Sequence, residues 1–160
     1  GTGKPSPLGM CIKNGIIYGD YMTSYSVMAV KKDGTIYTPA QGLMGKNLLA
    51  AGVKDTYNFG PVLIKDGEAQ LPWAETEKYY PRTAVGMVKP NDYVLLVTDT
   101  GRYNGLNHWD MVNIFKSYGC TYAYNLDGGG SATLYFNGKV MNKLIGNTQR
   151  PCADFLYFTR

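Results

Sequence analysis

The chain has 160 residues, 44% of them hydrophobic and 18% charged, which suits a substantial core, so we expect residues 1–160 to form one domain. The net charge of +4 comes from 16 basic and 12 acidic residues, and the basic residues are spread along the chain, which argues against nucleic acid as a partner. No apolar run reaches the roughly 18 residues of a membrane span, and we expect no signal peptide at the start.

The first half of the chain has the pattern of short strands joined by tight turns. The apolar residues of 42–53 predict a short helix with Gly52 near its end, and residues 71–81 are predicted to be an irregular loop because they contain prolines and little periodicity. Four turns of hairpin type are predicted, one of them late in the chain, with glycine supplying a positive φ: Lys13-Asn14-Gly15, Lys32-Asp33-Gly34, Lys65-Asp66-Gly67 and Asn137-Gly138.

The second half predicts a strand, a helix and a second strand, a βαβ-like order. Residues 93–98 form a mostly apolar run that predicts a buried strand, and residues 121–126 predict another. Asn107 suits the N-cap of the helix between them, and Gly119 suits its C-terminal end. We therefore predict an α+β fold: a mixed, mostly antiparallel sheet with one or two packed helices. One apolar helical face is predicted, at Met111, Ile114, Phe115 and Tyr118.

The cysteines and the single histidine give no metal site of a known type. Cys11, Cys120 and Cys152 form no Cys-x-x-Cys pair, which argues against structural zinc. Whether Cys120 pairs with Cys152 in an oxidising compartment stays open. His108 falls at the predicted start of the helix, where a solvated or capping role is expected ahead of catalysis.

Three consecutive glycines follow Asp127 at the carboxyl end of the strand 121–126. That edge of an open sheet is a common place for ligands. Gly128, Gly129 and Gly130 allow a tight turn and a close approach to the main chain, and consecutive amides can form an anion-binding nest. No Gly-Lys-Ser/Thr follows, as a P-loop would require, and a strand rather than a helix is predicted next, which excludes a dinucleotide fingerprint. A tight strand connection with no ligand is the structural alternative.

The run Asn125-Leu126-Asp127-Gly128-Gly129-Gly130-Ser131 resembles the signature of the phosphodiester glycosidase family. The resemblance extends from Pro7 to Phe158, and the family's earlier strand, which ends in an Asn-Gly-x-Phe-Phe-like segment, is expected to be missing here. Other segments agree in the same order: Arg-Thr-Ala-Val-Gly at 82–86, a strand ending in Asp-Gly-Arg at 97–102 with Thr100 inserted, Phe59-Gly60-Pro61 followed by Lys65-Asp66-Gly67, Gly119-Cys120, and an Arg-x-x-x-Asp pair at Arg150 and Asp154.

The resemblance implies a hydrolase that cleaves the glycosidic side of a sugar-1-phosphodiester and releases free sugar and a phosphomonoester. An α-N-acetylglucosamine-1-phosphodiester is the first candidate substrate. Because phosphate has a second pKa near ~6, it is a good leaving group, and one essential carboxylate with an anion clamp could replace the usual carboxylate pair. The expected partner is a sugar phosphodiester or a glycan polymer, and no cofactor is expected.

The resemblance also assigns site residues. Asp127 is predicted to act at the anomeric carbon and Asp99 as a second acid or base, while Arg82 and Arg150 are predicted to clamp the phosphate bidentately. Three carboxylates that could converge, those of Asp99, Asp127 and Asp154, show no metal-ligand spacing, so no metal is assigned. The remaining substrate-binding candidates are Thr83, Asn125, Gly128, Gly129, Gly130, Ser131 and Asp154, the last also expected to orient Arg150; Trp73 and Trp109 could stack on sugar.

Two other kinds of function stay open at this stage. A noncatalytic glycan- or teichoic-acid-binding module of a cell-envelope or phage-tail protein would keep the same fold. The fourteen tyrosines also suit a structural assembly domain, and the oligomeric state is not predicted. The resemblance favours an extracellular, cell-envelope or virion location.

Overall fold

Short strands and two helices alternate along the chain in the computed structural model, which describes residues 8–71, 79–99 and 104–159. Pro7, Trp73, the inserted Thr100 and Arg102 lie outside those residues, as does most of the predicted loop 71–81. The elements are β1 (Cys11–Lys13), β2 (Ile16–Gly19), β3 (Ser26–Lys31), β4 (Ile36–Tyr37), α1 (Gly45–Ala50), β5 (Val53–Phe59), β6 (Val62–Lys65), β7 (Glu68–Ala69), β8 (Thr83–Lys89), β9 (Asp92–Val97), α2 (His108–Ser117), β10 (Tyr122–Leu126), β11 (Tyr135–Phe136) and β12 (Lys139–Val140).

All four predicted hairpin turns are confirmed, as is the short helix. The turns join β1 to β2, β3 to β4, β6 to β7 and β11 to β12, each pair running antiparallel. In three of them an Asn or Asp and the following glycine both have positive φ, as at Asn14 (50°) and Gly15 (77°), because that backbone twist matches the twist of the strands. Gly52 ends α1 with a φ of 85°.

Two antiparallel sheets form the centre of the molecule. The larger has the strand order β7-β6-β10-β8-β9 and the smaller the order β4-β3-β5. Side chains of β3 alternate between the two faces of the smaller sheet. Met28 faces the larger sheet, in one cluster with Val85 and Tyr124, whereas Val27 and Ala29 face the layer that contains β1 and α1. The fold is thus α+β, as predicted, and every strand pair observed among the described residues is antiparallel.

Helix α2 covers the outer face of the larger sheet. Asn107 and Asp110 form a capping box, in which the Asn107 side chain accepts from the Asp110 amide at 2.8 Å and the Asp110 carboxylate accepts from the Asn107 amide. The predicted apolar face is partly wrong, because Tyr118 is 63% exposed. The side chains that the helix buries against the sheet are those of Met111, Val112 and Phe115.

The strand predicted at 93–98 is confirmed as β9, but its predicted burial is wrong, because β9 lies at an edge of the larger sheet. Its only partner among the described strands is β8, and Leu95 is 45% exposed. Because β10 and β9 both run antiparallel to β8, they point the same way with β8 between them. The predicted strand-helix-strand order is present, but its two strands are not hydrogen-bonded to each other.

The buried side chain of Tyr124 joins the two sheets. It projects from β10, and its hydroxyl donates to the Ser26 carbonyl on β3 at 2.5 Å and accepts from the Phe59 amide on β5 at 2.8 Å. Burial raises the pKa of Tyr124, while the hydrogen bond from Phe59 opposes that rise. The neutral phenol therefore stays in place as both donor and acceptor.

Tyr124→Phe is expected to destabilise the protein by about 1–3 kcal/mol, because it leaves the Phe59 amide and the Ser26 carbonyl without their partner inside the core. Urea unfolding followed by tryptophan fluorescence measures the effect. Tyr18→Phe is the matched control, since Tyr18 is 68% exposed. Equal stability of the two variants would show that this hydroxyl does not hold the sheets together.

Candidate active site at the glycine loop

Asp127 follows the last residue of β10, where the sequence places it. Its Oδ2 accepts two hydrogen bonds, from Ser131 Oγ at 2.7 Å and from Arg150 Nη2 at 2.7 Å. The side chain is 48% exposed and that of Arg150 is 55% exposed. Because both bonds fall on one oxygen, Oδ1 of this carboxylate is the oxygen that can face a substrate.

The three glycines after Asp127 differ in what they require of the backbone. A Cβ on Gly128 would lie 2.5 Å from the Pro81 carbonyl oxygen, so only glycine lets the loop pass this close to the chain entering β8. Gly129 has a φ of 56°, in the left-handed region that favours glycine. A Cβ on Gly130 would meet Arg150 Cδ at 3.6 Å, an ordinary contact, so Gly130 faces the arginine side chain.

The loop continues into a 3₁₀ turn, Gly129–Ser131, where a direct return to strand was predicted. The turn uses some of the amides that the sequence assigned to a ligand. Gly129 donates to the Pro81 carbonyl at 2.8 Å, and Ser131 donates to the Gly128 carbonyl at 3.0 Å. Among the described residues, the amides of Gly128 and Gly130 donate to no main-chain carbonyl, but none of the three glycines lines the cavity described next.

A cavity of about 1210 Å³ opens beside this loop. It lies between the β8–β9 end of the larger sheet, strand β5 and the C-terminal residues 149–158. Five of the predicted site residues line it: Thr83, Asp127, Ser131, Arg150 and Asp154. Most of the remaining lining is apolar, and the aromatic side chains around it include Tyr25, Tyr57, Phe59, Tyr135, Phe136 and Phe155. The cavity is large enough for a substrate well beyond a single sugar.

Arg82 and Asp99 are not among the residues that line this cavity. Arg82 Nε donates to the Leu106 carbonyl at 3.2 Å, and the guanidinium lies 5.4 Å from the Tyr80 ring. Asp99 Oδ2 accepts from the Lys143 amide at 3.0 Å. The structure therefore places the Arg150 guanidinium on Asp127, whereas the Arg82 main chain passes the glycine loop and its guanidinium contacts Leu106 and Tyr80.

Asn125 is 1% exposed and lies within the sheet, which contradicts its predicted contact with a sugar. Its Nδ2 donates to the Gly60 carbonyl at 2.7 Å, next to the cis Gly60–Pro61 bond. Its main chain also pairs with this bend, since the Gly60 amide donates to the Asn125 carbonyl. Asn125 thus fixes the link between β5 and β6 against β10 rather than facing the cavity.

Asp154 binds Lys13 instead of the predicted Arg150, with 2.8 Å between Lys13 Nζ and Asp154 Oδ2. Lys13 also donates to the Thr56 carbonyl and lies 3.5 Å above the Tyr57 ring. Sequence reasoning did not find Lys13 or Tyr57, because β1 and the C-terminal residues are far apart in the chain and carry no shared motif. Asp154 and Arg150 therefore have different partners, Lys13 and Asp127.

The three cysteines and His108 differ in burial. All three cysteines are free thiols; Cys11 and Cys120 are buried and Cys152 is exposed. The structure therefore contains no Cys120–Cys152 disulfide. Burial raises the pKa of both buried thiols. His108 is 4% exposed, so its expected solvation is wrong, because the first turn of α2 packs inward. Trp109 is 37% exposed on the same turn.

Within the described residues, no three His, Cys, Asp or Glu side chains lie close enough together to hold a metal ion. The three predicted carboxylates each have a different partner: Arg150 for Asp127, the Lys143 amide for Asp99, and Lys13 for Asp154. No helix in the same residues is both long and apolar enough to cross a bilayer.

Comparison with known proteins gives consistent results. A family model described as phosphodiester glycosidase matches residues 1–159. The SPbeta prophage-derived uncharacterized protein YomE of Bacillus subtilis (strain 168) is 31% identical over 93% of this chain. The N-acetylglucosamine-1-phosphodiester alpha-N-acetylglucosaminidase of Mus musculus is 28% identical over 81% of it.

A solved structure has the same fold. The catalytic domain of the zebrafish N-acetylglucosamine-1-phosphodiester alpha-N-acetylglucosaminidase, auto-inhibited by its pro-peptide, aligns with a TM-score of 0.71 at 23% identity over 92% of this chain. The present chain spans 55% of that one, and only 25% and 29% of the Bacillus and mouse proteins.

Gly128→Ala and Gly130→Ala are expected to differ in stability. The first places a Cβ against the Pro81 carbonyl and should cost about 1–3 kcal/mol, as overpacking does. The second adds a methyl group at ordinary contact distance from Arg150 and should change the stability by less than about 0.5 kcal/mol. Thermal unfolding of both variants beside wild type measures this. A Gly128→Ala variant as stable as Gly130→Ala would contradict the close approach at Pro81.

Proposed function

Because this chain belongs to the phosphodiester glycosidase family, we propose that it hydrolyses the glycosidic bond of a sugar-1-phosphodiester and releases the free sugar and a phosphomonoester. The observation that carries this proposal is the Asp127 carboxylate, held by Ser131 and Arg150 at the wall of a large cavity. A half-exposed carboxylate beside an arginine suits a substrate with an electrophilic carbon next to an anion.

Asp127 acts at the anomeric carbon in this proposal. Its Oδ1 either attacks that carbon or takes a proton from the attacking water, while Ser131 and Arg150 hold Oδ2. The bond between the anomeric carbon and the phosphate oxygen breaks, and its electron pair leaves with the phosphate. Water supplies the hydroxyl of the released sugar. Since the second pKa of phosphate is near ~6, the leaving oxygen needs little protonation, and Asp99 takes no step.

Arg150 stabilises the phosphate. One of its terminal nitrogens binds Asp127, and a guanidinium has further N–H groups that can reach a phosphate oxygen. The amides of Gly128 and Gly130, which donate to no main-chain carbonyl among the described residues, are the further donors of this proposal, following the logic of an oxyanion hole. Thr83 lines the cavity beside the end of β10, and its Oγ1 is buried without a hydrogen-bond partner among the described residues, so a substrate hydroxyl could supply one.

The substrate class follows from the relatives. The mouse protein's name specifies an N-acetylglucosamine-1-phosphodiester. We take α-N-acetylglucosamine-1-phosphodiesters as the first substrates to test, followed by other α-sugar-1-phosphodiesters and sugar nucleotides.

Glycan binding without turnover is the second candidate function, and one observation favours it. Four aromatic side chains around the cavity are more than half exposed: Tyr135, Phe136, Phe155 and Tyr157. Exposed aromatic rings stack readily on sugars, and such a rim would serve a binding module as well as an enzyme.

Asp127→Asn is expected to lower the turnover of a cleaved sugar-1-phosphodiester by about 100-fold or more, because the amide is neither a base nor a nucleophile. Release of free sugar and of phosphomonoester measures the effect, and circular dichroism checks the fold. Asp66→Asn is the matched control, since Asp66 lies at an exposed hairpin tip where asparagine also accepts a positive φ. Wild type that binds glycans but cleaves none of the panel would support the binding module.

Arg150→Lys is expected to raise KM by roughly tenfold, because lysine replaces a bidentate fork with a single point charge. Arg82→Lys should leave KM within about twofold, since Arg82 contacts the Leu106 carbonyl instead of lining the cavity. Steady-state kinetics of both variants on the same substrate make the comparison. If Arg82→Lys raises KM more than Arg150→Lys does, the phosphate binds near Arg82 and the role proposed for Arg150 is wrong.

A further inference from the structure

Arg150 is carried by a segment that has no regular secondary structure of its own. We call residues 149–158 the closing segment; its residues from 150 onward belong to no helix or strand. It forms one wall of the cavity, beside strand β5 on one side and strand β9 on the other, where Phe158 packs on Tyr93 with 5.2 Å between ring centroids. The position of Arg150 therefore depends on what holds this segment down.

Lys13 provides a fixed point for the closing segment. Its ammonium group binds Asp154 Oδ2 at 2.8 Å, donates to the Thr56 carbonyl at 3.0 Å and lies 3.5 Å from the centre of the Tyr57 ring. Thr56 and Tyr57 belong to β5, and the Lys13 side chain is only 24% exposed. A lysine held by a strand carbonyl and an aromatic face is less mobile than a lysine in an exposed ion pair, so it loses less freedom in binding Asp154.

Asp154 transmits this anchoring to the site. It lies four residues after Arg150 in the closing segment and lines the same cavity. The Tyr57 hydroxyl also donates to the Phe155 carbonyl, at a longer 3.5 Å. Because Arg150 is bound to Asp127 and Asp154 is bound to Lys13, the stretch between them is held at both ends.

We propose that Lys13 is a positioning residue: its ion pair with Asp154 latches the closing segment to β5 and so holds Arg150 beside Asp127, where it meets the phosphate. The proposal rests on the proposed function for the role of Arg150, but the latch itself is a structural statement. Lys13 is outside the cavity lining and touches no substrate. Its effect on catalysis is exerted through Asp154 and Arg150.

Two native cysteines report on the latch independently of activity. Cys11 and Cys120 are equally buried, each 4% exposed. Cys11 lines the cavity under the closing segment, and the charges of Lys13 and Asp154 both act on its thiol. Cys120 belongs to the core beneath α2. Opening of the segment exposes Cys11 alone, whereas global unfolding exposes both.

The experiment measures the alkylation rates of Cys11 and Cys120 by mass spectrometry in wild type, Lys13→Met, Asp154→Asn, Lys13→Arg and Lys54→Met. Methionine keeps the apolar stem on Tyr57 and removes the charge. We expect Cys11 to react faster in both Lys13→Met and Asp154→Asn, since a single ion pair of this kind shifts an opening equilibrium by roughly fivefold. The gain should be smaller in Lys13→Met, because loss of the Lys13 charge raises the pKa of Cys11 whereas loss of the Asp154 charge lowers it. Acceleration in both variants can therefore come only from exposure of the thiol. Cys120 should not change. Lys13→Arg keeps the charge, so its Cys11 should react at the wild-type rate. Lys54→Met should also leave that rate unchanged, since Lys54 forms only a 3.7 Å ion pair with Asp55.

Kinetics on a cleaved sugar-1-phosphodiester complete the test. Lys13→Met should raise KM roughly fivefold with little change in kcat, because Arg150, which binds the phosphate, is no longer held in place. Lys13→Arg should keep KM close to that of wild type. Unchanged Cys11 alkylation, or equal acceleration at Cys120, would overturn the latch. Faster Cys11 alkylation with unchanged KM would overturn the positioning role. If wild type cleaves nothing, the proposed function fails, and the alkylation rates still decide whether the latch exists.

Discussion

The position of the site depends on strand β10 being fixed between two sheets. Tyr124 reaches from β10 to β3 and β5 through one hydroxyl, and Asn125 pairs through both its side chain and its main chain with Gly60 after β5. Inside the core these polar groups have no water to bind, so each contact is costly to break. Asp127 follows two residues later, and its main chain therefore begins from a point that the core has already fixed.

Close approach of two chain segments then determines the shape of the glycine loop. Gly128 passes so near the Pro81 carbonyl that a side chain there would collide with main-chain atoms, and Gly129 donates to the same carbonyl. The loop is thus held against the chain that enters β8, and the 3₁₀ turn that follows brings Ser131 back to Asp127. The arrangement orients the carboxylate from within the loop, and Arg150 approaches it from a distant part of the chain.

Two ion pairs hold the closing segment beside the cavity. Arg150 binds Asp127, and Asp154 binds Lys13. A segment without regular secondary structure loses conformational entropy when it is fixed, and two ion pairs with a few aromatic contacts offset that cost only modestly. Such a segment can respond to substrate charge, because the phosphate of the proposed substrate would bind the same guanidinium that holds Asp127. The shared guanidinium would link substrate binding to the carboxylate that is proposed to react.

The sequence by itself determined the elements whose causes are local. Asn-Gly and Asp-Gly pairs predicted the hairpins, and Asn107 and Asp110 predicted the start of α2. The run of glycines after an apolar stretch predicted the loop at Asp127. Each of these features depends on the backbone preferences of adjacent residues. The family motif also singled out Asp127, Ser131 and Arg150, which the structure brings into contact. Only the tertiary structure decided which side chains face the cavity. Asn125 turned inward, Arg82 turned to Leu106, and Asp154 met Lys13, because strand order and sheet packing join residues that are distant in the chain, and no local pattern records those neighbours.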